Sequence, residues 1–255
     1  MTELDLIADH KLESVETAGQ GVRVRFIDKQ GKRREETFER VLMAAGRPPS
    51  LDGLGLDKLG VDKDDKGRYP IDKATLQLAD LPVFVAGDAN SLHPILHEAA
   101  DDGELAAKNA TCYPKLERQQ RRTPLAIMFT DPQIAVVGQS YTQLQGCAAM
   151  QGEVDFADQG RARVQGVNRG RLRIYGDREN HRLLGAELVA PEAEHLAHLI
   201  AWAIQRELTV EDALALPFYH PVVEEGLRTA LRELAKSLKC GEPIKCRVSE
   251  LGVGS

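Results

Sequence analysis

Val83-Phe84-Val85-Ala86-Gly87-Asp88 is a short apolar run that stops at a glycine and an aspartate, and the fold turns on how it is read. Four apolar residues in a row bounded by a turn signal predict a buried strand. Gly87 ends it where a bulky side chain would obstruct close backbone approach. Asp88 then stands at the carboxyl end of the strand, where open α/β sheets bind ligands. A carboxylate there can hold a sugar hydroxyl by a charge-assisted hydrogen bond. Alternatively, the Gly-Asp pair is a turn that caps the next element. From about residue 94 to 109 the period becomes helical, with Ile95, Ala99, Leu105 and Ala106 near one face and acidic residues over much of the other.

Towards the N-terminus, Val22, Val24 and Phe26 alternate with Arg23, Arg25 and Ile27, and Asp28-Lys29-Gln30-Gly31 supplies a turn. Residues 33–38 are expected to pair back as a hairpin. Residues 41–45 form a second apolar run, expected as a buried strand ending at Gly46. The stretch Ala44-Ala45-Gly46-Arg47-Pro48-Pro49 reads as a chain leaving a sheet in a fixed direction, or as a plain linker turn. Residues 51–67 read as loop.

Towards the C-terminus, residues 115–122 are basic, lack an apolar face and read as a linker. Strands are expected at 125–129, 134–137, 172–175 and 183–189, then helices at 193–207 and 222–238. Strands followed by helices predict an α+β domain with an antiparallel sheet. The fold class expected for the whole chain is therefore α/β followed by α+β, and residues 247–255 read as a frayed tail. His220-Pro221-Val222-Val223-Glu224-Glu225 opens the last helix. Pro221 suits the first helical position, which leaves His220 just outside with its ring free. Glu225, one turn in, can reach back to one ring nitrogen, fix the tautomer and leave the other nitrogen as a base. In the blander alternative both glutamates only complement the helix dipole.

Composition narrows the classes. A net charge of -6 over 255 residues gives no reason to expect nucleic acid or an anionic membrane as partner. No apolar run approaches the roughly 20 residues of a membrane span, and the acidic N-terminus has no signal-peptide core, so a cytoplasmic location is expected. Cys112, Cys147, Cys240 and Cys246 are too scattered for a disulfide scaffold. Cys112 and Cys147 read as structural, and Cys240 and Cys246 as ordinary reduced thiols. His195 and His198 could share a metal, but with no third ligand in view no metal site is expected.

Taken together, the three quoted stretches resemble, in order and spacing, the pyridine nucleotide-disulfide oxidoreductases of the dihydrolipoyl dehydrogenase kind. Residues 44–49 resemble that family's Ala-Thr-Gly-Arg-x-Pro motif. Residues 83–88 resemble its second flavin motif, whose aspartate binds the ribityl chain. Pro94-Ile95-Leu96-His97-Glu98-Ala99 looks like the helix start that faces the isoalloxazine ring. Residues 129–138 are similar to the opening of the dimerisation domain, and His220-Pro221 with Glu225 matches the His-Pro-x-x-x-Glu motif of the catalytic base. The resemblance spans about residues 22–239.

It implies an incomplete FAD/NAD-binding Rossmann-like region followed by the dimerisation domain. Residues 1–44 would end a nicotinamide-nucleotide domain, 45–115 would be the C-terminal part of an FAD domain, 123–239 the dimerisation domain and 240–255 a tail. It implies FAD contacts from Gly46, Arg47, Gly87, Asp88, Leu96, His97 and Ala99. His220 would be the base and Glu225 its orienter, in a homodimer where the base serves the partner's site. The substrate implied is a small dithiol or disulfide, with NAD or NADP as the second carrier.

Ala45, Ser50 and Ala79 depart from the family pattern. So does Pro217-Phe218-Tyr219, which lacks the second histidine often found before the base. Mercuric-reductase-like and transhydrogenase-like activities stay open. No strand–Gly-x-Gly-x-x-Gly–helix frame and no Cys-x4-Cys occurs in the sequence. The chain is therefore expected to begin near the end of the nicotinamide domain, and by itself to be an inactive dimerisation module that does not retain FAD.

Overall fold

Alternating apolar and charged residues near the N-terminus fold as an antiparallel meander of β1 (Lys11–Ala18), β2 (Gly21–Ile27) and β3 (Arg33–Phe38), in that order. The computed structural model describes residues 5–51, 53–65, 67–242 and 244. It divides into two compact units, Met1–Leu51 and Asp52–Ser255, and the meander lies in the first. Phe26 is buried, while Arg25 on the opposite face binds Glu16 and Glu35. The expected hairpin turn is held by Asp28, whose carboxylate accepts the N–H groups of Gln30 and Lys32 and the Nε–H of Arg34. The buried strand expected at residues 41–45 does not form. The segment is irregular with no strand partner among the described residues, and Leu42 is 90% exposed. Apolar character makes a strand only where a neighbour completes the hydrogen-bond ladder.

In the second unit, five antiparallel strands form the main sheet: β4 (Leu125–Met128), β5 (Gln133–Gly138), β6 (Ala149–Asp155), β7 (Arg171–Asp177) and β8 (Leu183–Ala190), in the order β4-β5-β8-β7-β6. The helices are α1 (Leu96–Cys112), α2 (Tyr141–Leu144), α3 (Gly160–Gln165), α4 (Ala193–Gln205), α5 (Val210–Ala215) and α6 (Glu225–Cys240). Helix α4 packs on β5 and β8, and α6 on β6 and β7. Leu172, Ile174 and Leu188 from the sheet meet Leu196, Ile200, Leu231 and Leu234 from the helices, all essentially inaccessible. Each such side chain contributes about 1.5–3 kcal/mol by leaving water. Helix α6 lies directly on β6, because Gly152 presents no side chain. A Cβ there would stand 2.2 Å from the Ala230 carbonyl oxygen.

The expected mixture of α/β and antiparallel α+β structure is present, with four local corrections. Residues 83–86 are half-buried, and among the described residues their backbone pairs with the segment before them, through Val85 N–H to the Leu76 carbonyl and Leu78 N–H to the Val83 carbonyl. Left-handed Leu76 and Ala79 (φ 63° and 46°) break that segment's register, so one isolated bridge forms where a strand was expected. Strand β6 was not anticipated, since Gly152 interrupts its apolar run. Helix α1 turns its acidic residues Glu98 and Asp102 inwards, beside Leu105. Helix α6 starts at Glu225, three residues later than the apolar period suggested.

Candidate functional site

His220 projects from the bend that leads into α6, with its side chain 81% exposed. Pro221 is not the first helical residue, since residues 220–224 form a bend and turn. The expected contact is nevertheless made, because Glu225 is the first residue of the helix and its carboxylate faces back over that turn. His220 Nδ1 lies 3.0 Å from both Oε1 and Oε2 of Glu225. The Val222 N–H donates to Oε2 at 3.3 Å. The His220 hydrogen bond holds the Glu225 carboxyl below its usual range, against the opposing effect of desolvation and with help from Val222 and the nearby Arg228 charge. An ionised acceptor at Nδ1 requires the hydrogen on that nitrogen, which leaves Nε2 as the basic lone pair.

A second cluster surrounds the start of α1. Gly87 opens a 3-10 turn, Gly87–Asn90, with φ 65°. A Cβ on it would stand 3.0 Å from the Ala99 Cβ, so Gly87 lets the turn seat against the helix and Ala99 forms the seat. Asp88 is exposed beside it, and Leu96 and His97 are exposed on the first turn of α1. No side chain caps α1 at Ile95, so its N-terminal donors and positive dipole end lie next to the Asp88 turn. Tight backbone packing, a projecting carboxylate and an uncapped helix start fit a polyhydroxyl chain and a polar ring edge, the groups a flavin presents.

Four residues with no role expected from the sequence, Asn90, Glu98, Asp102 and Arg121, shape this cluster. One Asp102 oxygen accepts the Gly87 N–H at 3.1 Å and the Asn90 amide at 2.5 Å. The other Asp102 oxygen and Glu98 receive the two ends of the Arg121 guanidinium at 2.7 and 2.6 Å. Arg121 belongs to the expected linker. That segment is irregular but strapped to the unit, with Gln119 N–H bonded to the Ala74 carbonyl and Glu117 N–H to Asn109. The available signal was spacing: Glu98, Asp102, Leu105 and Asn109 share one helix face.

Gly46 and Arg47 fall in the first unit, exposed, with Gly46 at φ 90° in open space. Cys112 and Cys147 are exposed free thiols rather than packed structural residues, because both lie at or beyond helix ends. Cys240 is exposed at the end of α6, and Cys246 lies outside the described residues. His195 lies 3.5 Å from Glu192, and His198 Nδ1 donates to the Glu194 carbonyl at 2.7 Å while its ring edges onto Trp202. Beside the His220 bend, α4, α5 and α6 enclose an apolar cavity of about 400 Å³ lined by Leu199, Trp202, Phe218, Tyr219 and Leu227 among others. Trp202 and Tyr219 on its rim are 65% and 79% exposed. Among the described residues, no helix is long and apolar enough to cross a membrane.

Residues 125–231 match the dimerisation domain of the pyridine nucleotide-disulphide oxidoreductases. A dihydrolipoyl dehydrogenase of Halobacterium salinarum is 34% identical over 213 residues, covering 82% of this chain and 44% of that protein. One from Thermus scotoductus is 31% identical over 229 residues, 89% of this chain and 49% of that protein. The crystal structure of LpdA from Mycobacterium tuberculosis aligns with a TM-score of 0.71 at 26% identity, over 89% of this chain and 48% of that one. The HOCl-induced flavoprotein disulfide reductase RclA of Escherichia coli shares the fold, at 20% identity and a TM-score of 0.69 over 87% of this chain and 50% of that one. The chain thus spans about half the length of these relatives.

Proposed function

We propose that this chain, which belongs with the pyridine nucleotide-disulphide oxidoreductases of the dihydrolipoyl dehydrogenase kind, supplies the proton-handling base and the subunit contact of an FAD-dependent electron transfer between a dithiol or disulfide substrate and NAD(P). The observation that carries the reading is the His220–Glu225 pair, with an ionised carboxylate on Nδ1. His220 Nε2 takes the proton from a substrate thiol, and Glu225 stabilises the imidazolium that forms. The products of this step are a thiolate and a protonated histidine. The thiolate is the competent nucleophile in disulfide exchange. Placing a base in this way is typically worth about 100- to 10,000-fold in rate.

Bound FAD supplies the two-electron carrier between thiol and nicotinamide. Asp88 would hold its ribityl hydroxyls, Gly87 and Ala99 would let that chain lie close to the backbone, and Leu96 and His97 would flank the ring. Gly46 and Arg47 carry the motif that the resemblance links to FAD contact. Residues 1–44 are assigned to the nicotinamide-nucleotide domain, 45–115 to the FAD domain and 123–239 to the dimerisation domain. The exposed apolar rim at Trp202 and Tyr219 supports a homodimer, since a patch of this kind beside a cavity marks a contact surface. The Pro217-Phe218-Tyr219 segment lacks the second histidine often found before the base, which leaves dithiol or disulfide substrates other than dihydrolipoamide open. Mercuric-reductase-like or transhydrogenase-like activity is the second reading. In the full-length enzyme, His220→Ala lowers turnover with the thiol substrate at least about 100-fold while flavin absorbance is retained. Near-normal turnover of that variant removes His220 from the mechanism. Side-by-side assays with dihydrolipoamide, mercuric ion and a second pyridine nucleotide sort the substrate classes.

A further inference from the structure

We propose that Gln159 is a positioning residue for the base: its amide holds the Val222 peptide, and through it the His220–Glu225 pair, in the geometry that proton transfer requires. The inference rests on the reading of His220 as the base. Val222 stands between the two members of the pair, and both its polar groups are engaged. Its N–H donates to Glu225 Oε2 at 3.3 Å, and its carbonyl accepts from Gln159 Nε2 at 2.7 Å. Among the described residues, the other donor to that carbonyl is the Glu225 N–H, at a long 3.4 Å. Gln159 therefore makes the shorter bond to the peptide that aims the Glu225 carboxylate.

Gln159 is itself fixed. It is 9% exposed, and it joins the 3-10 turn Phe156–Asp158 to the start of α3. Its Oε1 accepts the Ala162 N–H at 2.6 Å, so the amide can be oriented only one way, oxygen towards α3 and nitrogen towards Val222. Its own N–H donates to the Phe156 carbonyl, and its own carbonyl accepts the Arg163 N–H. Phe156 is fully buried beneath the first turn of α6, where a Cβ on Gly226 would stand 2.8 Å from its ring. The corner at residues 156–159 is thus the seat of the base-bearing bend: Phe156 sets its height and Gln159 sets its rotation.

The two jobs of Gln159 can be separated. Gln159→Glu keeps an acceptor for the Ala162 N–H and the side-chain volume, but it faces the Val222 carbonyl with a carboxylate oxygen in place of a donor. Gln159→Met removes both bonds and keeps an apolar filler. The test is the tautomer of His220 in this chain, read from long-range nitrogen–proton spectra of histidine-labelled protein at neutral to mildly alkaline pH, with far-UV circular dichroism as the check on folding. Wild-type His220 is expected to carry its hydrogen on Nδ1. Both variants are expected to revert to the mixture of a free imidazole, with the circular dichroism of Gln159→Glu unchanged. A purely structural glutamine would not move this signature. Survival of the Nδ1–H form in Gln159→Glu overturns the proposal, as does a free-imidazole mixture in the wild type. Loss in Gln159→Met alone assigns the effect to the α3 cap and overturns it too. Turnover of His220→Ala is a separate measurement, so a failed latch and a failed base are told apart.

Discussion

At the scale of single residues, the His220–Glu225 contact was legible because its two members lie five positions apart in one stretch. The spacing survived even though the helix begins later than expected and Pro221 lies outside it. What holds the site was not legible. Gln159 is 63 residues from its partner Val222, and Asp102 braces Gly87 from 15 residues away, so neither contact is written in any local pattern. Glu225→Gln in the full-length enzyme should cost less turnover than His220→Ala, since a neutral amide still accepts from Nδ1 but stabilises the imidazolium less. Its effect on stability has a definite sign. The folded carboxyl titrates below its usual range, so the stabilisation is complete above that range and is lost as pH falls through the depressed value. Thermal melts of wild type and Glu225→Gln should therefore differ at neutral pH and converge in acid. A constant difference down to the acid limit would mean that Glu225 acts through packing alone. Asp102→Ala takes one of its two carboxylates from the half-buried Arg121 guanidinium, which keeps Glu98, and removes the acceptor of the Gly87 N–H. A buried donor left without its acceptor costs about 1–3 kcal/mol, measurable by urea unfolding, and no measurable loss would show the brace to be dispensable.

At the scale of elements, β4, β5, β7, β8 and α4 follow the sequence periods to within a few residues, because each has an apolar face long enough to declare itself. The failures share one cause. Residues 41–45 and 83–86 are apolar enough for strands, yet a strand is a property of a pair, and a single stretch does not specify its neighbour. The opposite error hid β6, whose glycine looks like a break in sequence and is a contact in space. Gly152→Ala tests this directly. Its methyl group would stand 2.2 Å from the Ala230 carbonyl oxygen and 2.4 Å from the Leu234 nitrogen, both backbone atoms of α6 that cannot rotate away. Overpacking of this kind costs about 1–3 kcal/mol, read as a lower urea midpoint at unchanged slope. A neutral result would show that α6 lifts off the sheet without penalty.

At the scale of the whole molecule, sedimentation at micromolar concentration should give a dimer, and Trp202→Glu should shift it towards monomer by placing a charge on the apolar rim. A wild-type monomer would count against the assigned subunit contact. The chain alone should bind FAD weakly in a flavin titration, because no glycine-rich loop in its sequence can cradle the pyrophosphate, and submicromolar affinity would refute that account. The seam between Gly152 and Ala230 has a further consequence. With backbone against backbone, β6 cannot open while α6 stays closed, so their amides should exchange with deuterium together, in one cooperative unit near the global unfolding free energy. Glu225 is the first residue of that unit and His220 hangs from it by a hydrogen bond. If so, an imidazole that is itself mostly in water is moored to the part of the protein expected to open last.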